Sequence, residues 1–153
     1  MDQGALIQFK DLGMAAAISF SALGSSLGIW PAGQAAVGAW KKCYAQNKLA
    51  PFLLVVFIGA PLSQTIYGMI LMNKIAEAAV QGSYLFGIGI FGGLAIGASA
   101  TAQGYIGASA ADALAETGKG FTNYLMALGI IETVAIFVMV FLLGKIDMIA
   151  QLK

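Results

Sequence analysis

One carboxylate stands alone in a long apolar stretch. Glu132, in Ile130-Ile131-Glu132-Thr133-Val134, has twelve uncharged residues on either side. An ionised group at the centre of a membrane helix is unfavourable by roughly 2.5 to 3.5 kcal/mol on insertion scales, and its default reading is an ion or proton pathway. Burial favours the neutral form of a carboxyl and a bound cation favours the ionised form, so such a group can alternate between a protonated and an ion-paired state. The competing reading is a protonated glutamate tying helices together. Oxygen-bearing residues recur in two other apolar stretches, Ala60-Pro61-Leu62-Ser63-Gln64-Thr65-Ile66-Tyr67-Gly68 and Thr101-Ala102-Gln103-Gly104. Pro61 has no N–H for the carbonyl of Phe57, so a helix there is expected to bend and bare main-chain oxygens. Taken singly, each polar residue reads as a hydrogen bond between helices. Together, Gln64, Gln103, Ser63, a freed carbonyl and Glu132 form a hard-oxygen set with a single negative charge, which suits a hard monovalent cation better than a transition metal. A proton needs only Glu132.

The elements that position these groups follow from composition. The chain has 153 residues, room for a single domain. It is 59% hydrophobic and 10% charged, with a mean hydropathy of +0.85. A soluble domain carries about 25% charged residues, so an ordinary soluble globule is excluded. Eight lysines against seven acids, with neither Arg nor His, exclude a His-ligated metal, a His-based triad and a basic nucleic-acid footprint. The single cysteine, Cys43, cannot form an internal disulfide and reads as a small loop residue.

Charged residues divide the chain into apolar runs: Leu12 to Trp40, Leu49 to Asn73, Ala78 to Ala111, and Gly120 to Gly144, the last interrupted only by Glu132. Each exceeds the roughly 20 residues that cross a bilayer as a helix, and lipid cannot satisfy bare backbone groups. The expected fold is an all-α membrane protein of four transmembrane helices, not a barrel of short alternating strands. Asp2, Lys10 and Asp11 precede a first run too long for the apolar core of a signal peptide, so all four spans are expected to be retained. Short links make consecutive spans antiparallel, as hairpins over about 12–73 and 78–146. Lys41, Lys42 and Lys48 stand without an acid in the first loop, which is therefore expected to be cytoplasmic, with Trp40 and Tyr44 beside them as interfacial anchors. Lys74 and Glu77 balance each other in the middle link, and Asp112, Glu116 and Lys119 occupy the second loop.

The two hairpins resemble each other. A shift of 76 residues lays Gly28 on Gly104 and Ala17 to Ser26 on Gly93 to Ala102, and a shift of 68 lays Gln64 on Glu132 and Thr65 on Thr133. This reads as a duplicated hairpin with a shorter second loop. Thirteen of the twenty glycines fall in the first and third runs, as Gly24-xxx-Gly28 and Gly89-xxx-Gly93-xxx-Gly97, whereas the second and fourth runs are bulky. Small residues every fourth position let backbones approach closely, so spans one and three are expected to pack tightly, as narrow inner helices inside wider outer ones.

At these residues the chain resembles the membrane rotor-ring proteolipid of V-type and A-type ATPases, the duplicated component often called the K or c subunit. The likeness covers almost the whole chain, through the two Gly-rich helices, Pro61 to Gly68, Ala102 to Gly104, and Glu132 with Thr133. In sodium-transporting members of that family, Na+ is held by residues that match Glu132, Gln64, Gln103, Ser63 and the backbone carbonyl of Ala60. Tyr67 matches the tyrosine that hydrogen-bonds the glutamate and closes the site. Ser63 stands where threonine is common and Leu62 where glycine is common, which leaves the oxygen inventory intact while allowing a different site shape.

The resemblance implies a homo-oligomeric ring of identical subunits. It would sit in lipid, in a bacterial or archaeal plasma membrane, and turn on central-stalk subunits against a stator subunit whose arginine transiently pairs with the glutamate. The chain itself would perform no bond chemistry. H+ is the alternative cargo. From other classes, a small four-helix exporter using one buried glutamate would leave the narrow and bulky alternation unexplained, and a purely structural four-span protein would tolerate loss of the carboxylate.

Overall fold

The computed structural model describes residues 3–79 and 83–151. Asp2 and residues 80–82, within the run that begins at Ala78, lie outside the described residues. The chain is all-helical: α1 spans Gln3–Ala45 and α2 Leu54–Gly59; a 3-10 turn, Ala60–Leu62, leads into α3, Ser63–Glu77; α4 is Ser83–Thr117 and α5 Phe121–Ala150. With α2, the turn and α3 taken as one span, the described residues contain four helices long and apolar enough to cross a membrane.

The helices outrun their apolar stretches. α1 has 43 residues, about 64 Å at 1.5 Å per residue, twice a hydrocarbon core of about 30 Å. Lys10 and Asp11 at one end, and Lys41 and Lys42 at the other, are therefore helical. Cys43, expected in a loop, is buried in the last turn of α1, and its carbonyl accepts the Lys48 N–H at 2.9 Å. Asp112 and Glu116 likewise belong to α4, leaving Lys119 in the link. A helix continues through polar residues until something breaks its hydrogen-bonding pattern. Here the breaks are Asn47 (φ 52°) after α1 and Gly118 (φ 66°) after α4, both in the left-handed region that ends helices.

Glycines set the packing. A Cβ on Gly89 or Gly104 would overlap the backbone of Gly13 or Gly28, and one on Gly24 would overlap Gly97. These pairs place α1 and α4 side by side and parallel, in backbone contact. Gly13 with Gly89 and Gly28 with Gly104 each lie 76 positions apart, so the sequence shift that aligns the halves is also the contact register. α3 runs antiparallel to α1: Gly68 lies against Ser21, and Thr65 Oγ1 donates to Ser25 Oγ at 2.8 Å. α5 runs antiparallel to α4 and turns Ile130, Phe137 and Phe141 outward.

Pro61 does less than expected. The span continues through its 3-10 turn, with the Ala60 N–H reaching Val56 O and the Ser63 N–H reaching Ala60 O. The freed carbonyl of Phe57 faces Gly107 on α4, where a Cβ would sit 2.9 Å away. A neighbouring helix without a side chain thus accommodates the break that proline makes. Two apolar clusters complete the interior. Leu71, Ile75, Ile88, Ile96, Ala135 and Ile146 form one, and Leu54, Phe57, Ala110, Leu114 and Leu128 belong to the other. Between them, at one level of α3, α4 and α5, lie Gln64, Gln103 and Glu132.

Candidate functional site

Glu132 sits in the seam between α5 and α3, with α4 behind it. Its Oε1 accepts the Tyr67 hydroxyl at 2.6 Å, and its Oε2 accepts the Gln103 amide at 3.4 Å. The Gln103 Nε2 also donates to Leu128 O, one turn before Glu132, at 3.1 Å. Behind Gln103 stands Gln64, whose Nε2 donates to Gln103 Oε1 at 2.9 Å. Ser63 closes the row: its hydroxyl lies 3.1 Å from Gln64 Oε1 and 3.0 Å from Ala60 O. The row has a direction, since both amides turn their nitrogens towards the carboxylate.

Gln64 and Gln103 are 0% exposed, and among the described residues every buried side-chain nitrogen and oxygen has a partner. Glu132 is only partly buried. The ion pair among the described residues is Lys74 with Asp147, at 2.5 Å, so no lysine neutralises Glu132. A carboxylate in apolar surroundings that has hydrogen-bond donors and no fixed cation is completed by something exchangeable, a proton or a mobile cation. Among the described residues no group of three or more His, Cys, Asp or Glu could hold a metal. Any cation at this level would rest on one carboxylate, amides, a hydroxyl and main-chain oxygens, a set suited to hard ions.

The structure thus brings Glu132, Gln103, Gln64, Ser63 and Tyr67 into one hydrogen-bonded row, with Ala60 joined to it through Ser63. The carbonyl of Phe57, the oxygen expected to be freed, is turned to Gly107 instead. Gly24, Gly28, Gly89, Gly93 and Gly97 lie at the α1–α4 contact, apart from the row. Two groups escaped the sequence reading. Ser99 Oγ donates to Ile131 O at 2.8 Å, and Lys74 pairs with Asp147 rather than with Glu77. Ser99 is hidden within a run of small residues. Lys74, three positions before Glu77, gives no sign of a partner 73 positions away.

Fold and site together define a four-span helical membrane protein with one carboxylate held at a helix seam. Residues 86–143, from α4 into α5, match the ATP synthase C-subunit family, and the matched stretch contains both Gln103 and Glu132. The match supports an ATP synthase or ATPase c-type proteolipid. That family supplies non-catalytic, ion-translocating membrane rotor subunits, which form rings of identical copies and meet other components of the complex. The first hairpin lies outside the matched stretch. No curated protein matches the chain.

Proposed function

We propose that this chain is the rotor-ring proteolipid of a V-type or A-type ATPase and carries Na+ across the membrane on Glu132, coupled to ATP hydrolysis or synthesis elsewhere in the complex. The observation that carries this reading is the row itself. Among the described residues no lysine pairs with Glu132, and it is backed by Gln103, Gln64 and Ser63, more oxygen than a proton carrier needs. The first hairpin contributes to the same site through Gln64, Ser63 and Tyr67, which suits a duplicated proteolipid with one carboxylate per two hairpins.

In the hydrogen-bonded row the amide nitrogens face the carboxylate. A half-turn of each amide exchanges nitrogen for oxygen and presents Gln103 Oε1 and Gln64 Oε1 to a cation beside Glu132. The Ser63 hydroxyl and the Ala60 carbonyl complete the hard-oxygen set, and the Tyr67 hydroxyl keeps its hold on Glu132 Oε1. Release requires a competing positive charge, the role assigned here to a stator arginine as the ring of identical subunits turns past it on the central stalk. One unit charge crossing 100 mV corresponds to about 2.3 kcal/mol, so several carriers per turn are needed to match one nucleotide.

The test is carbodiimide labelling of Glu132 in the detergent-solubilised ring. Protection by sodium, and none by potassium at equal ionic strength, is the expected result. Equal labelling under both conditions would reassign the cargo to H+, and absence of a ring would remove the rotor reading altogether.

A further inference from the structure

Hydroxyls in α1 and α4 mostly bond back to their own backbone. Ser21 donates to Ala17 O, Ser26 to Ala22 O, Ser109 to Tyr105 O and Thr117 to Ala113 O, each four residues back. This local bond is open to any helical serine. Ser99, 6% exposed, does otherwise: its hydroxyl crosses from α4 to α5 and donates to Ile131 O at 2.8 Å. That oxygen belongs to the rigid peptide unit whose nitrogen is that of Glu132. In a regular helix it already accepts the N–H four residues on, so the second bond is not required to satisfy it.

A second tie lies one turn away. Gln103, four residues after Ser99 on the same face of α4, holds Leu128 O at 3.1 Å, three residues before Ile131 on α5. Two ties on the turn that carries Glu132 fix both the height and the rotation of α5. A rotation of about 10° in a helix whose side chains reach roughly 5 to 6 Å from its axis moves the tip by about 1 Å. The Tyr67 to Glu132 bond of 2.6 Å would not survive such a move. The half-turn of the Gln103 amide that sodium loading calls for withdraws its nitrogen from Leu128 O, so the Ser99 bond is the tie that remains in the loaded site.

We infer that Ser99 is a positioning residue for the ion carrier: its hydroxyl holds the peptide unit before Glu132 so that the carboxylate faces Tyr67 and the Gln103–Gln64 row. The inference rests on the reading of Glu132 as the carrier. It goes beyond that reading by placing part of the ion affinity in a residue that touches no ion.

The test uses the assembled membrane complex carrying Ser99→Ala, Ser99→Thr or Thr101→Ala. Thr101 also donates from α4 to a backbone oxygen of another helix, Gly24 O, but on the α1 side, away from Glu132. For each variant, the sodium concentration that halves carbodiimide labelling of Glu132 is measured beside the maximal rate of ATP-driven sodium uptake. Ser99→Ala is expected to raise the half-protecting concentration about threefold, and at most roughly twentyfold, the range spanned by measured interhelical hydrogen bonds in bilayers. The maximal rate stays unchanged. Ser99→Thr, which keeps the hydroxyl, and Thr101→Ala are expected to behave as the unsubstituted protein.

An unchanged half-protecting concentration in Ser99→Ala would overturn the inference, as would an equal shift in Thr101→Ala, which would mark general loosening. Lack of sodium protection in the unsubstituted ring would overturn the sodium reading instead. The inference would then be judged on the labelling rate without sodium: a change confined to Ser99→Ala supports it, and equal rates in all variants overturn it.

Discussion

Gln64 and Glu132 hold matching places in the two hairpins, 68 positions apart and each followed by threonine, yet the fold treats them differently. Gln64 is sealed, 0% exposed, with its nitrogen on Gln103 and its oxygen beside the Ser63 hydroxyl. The threonine after it is tied across to α1 through Ser25. Glu132 lies at an open seam, partly buried, and the threonine after it bonds only to its own helix, at Ile130 O. A neutral amide that never changes charge can be locked into the interior. On the proposed reading, a carboxylate that gains and loses a partner has to remain reachable. The first half would then serve as the wall of the site and the second as the part that changes charge.

The widest break in this comparison is Glu132→Gln, which makes the two positions chemically alike. Ion transport and carbodiimide labelling at this position are expected to disappear while the four helices still assemble, because a neutral amide keeps the shape of Glu132 and an oxygen for the Tyr67 hydroxyl, and a half-turn of Gln103 gives its nitrogen an acceptor. Residual transport in membrane vesicles would show that the asymmetry between the halves is not functional, and would favour the structural four-span reading.

Gln64→Leu acts on the wall. It removes a sodium ligand from the proposed set and leaves Gln103 Oε1 buried without its donor, a loss of about 1 to 3 kcal/mol. Each 1.4 kcal/mol is tenfold in an equilibrium, so a loss of that size in ion binding means that half-protection of Glu132 from carbodiimide should need about fivefold to 150-fold more sodium. If proton-driven turnover persists unchanged and sodium never mattered, the wall is only structural and the cargo is H+.

Gly104→Ala tests the shared spine instead of either site. The added Cβ would overlap the backbone of Gly28, and overpacking of this kind typically costs about 1 to 3 kcal/mol. A lower thermal midpoint of the purified protein is expected, with the Glu132 labelling chemistry retained at low temperature. Loss of labelling without loss of stability would mean that the α1–α4 contact governs the seam directly.

What was legible in the sequence follows from how far each signal lies from its cause. Uncharged runs announce spans because a bilayer penalises every charge, and the lone Glu132 announces itself for the same reason. Glycines four apart announced the α1–α4 contact, since each leaves a gap that a neighbouring backbone can fill. Helix ends were misplaced, putting Cys43 and Asp112 in loops, because the border of a helix is set by backbone hydrogen bonding and by residues such as Asn47 and Gly118, not by apolarity. The carbonyl freed by Pro61 was expected to serve the site, but its direction depends on which helix stands opposite, and that helix offers Gly107. Ser99 looked like one more small packing residue, and only the placement of α5 shows what its hydroxyl reaches.

Lys74 and Asp147 give the finest test of how the two halves are joined. The pair ties α3 of the first hairpin to α5 of the second at the end of the seam that holds Glu132, with side chains 30% and 54% exposed. Exposed pairs contribute about 0 to 1 kcal/mol, so Lys74→Gln should lower stability by no more than that and leave sodium protection of Glu132 unchanged. A double-mutant cycle with Asp147→Asn, read by thermal or denaturant unfolding in detergent, should return a coupling in the same range. The reason is geometric: α5 is tied to α4 by two bonds to its backbone, from Ser99 and Gln103, whereas α3 reaches it through the side chains of Tyr67 and Lys74. A coupling well above about 2 kcal/mol, or a shifted sodium response, would reverse that order and make the α3–α5 seam, rather than the α4–α5 contact, the element that sets the carboxylate.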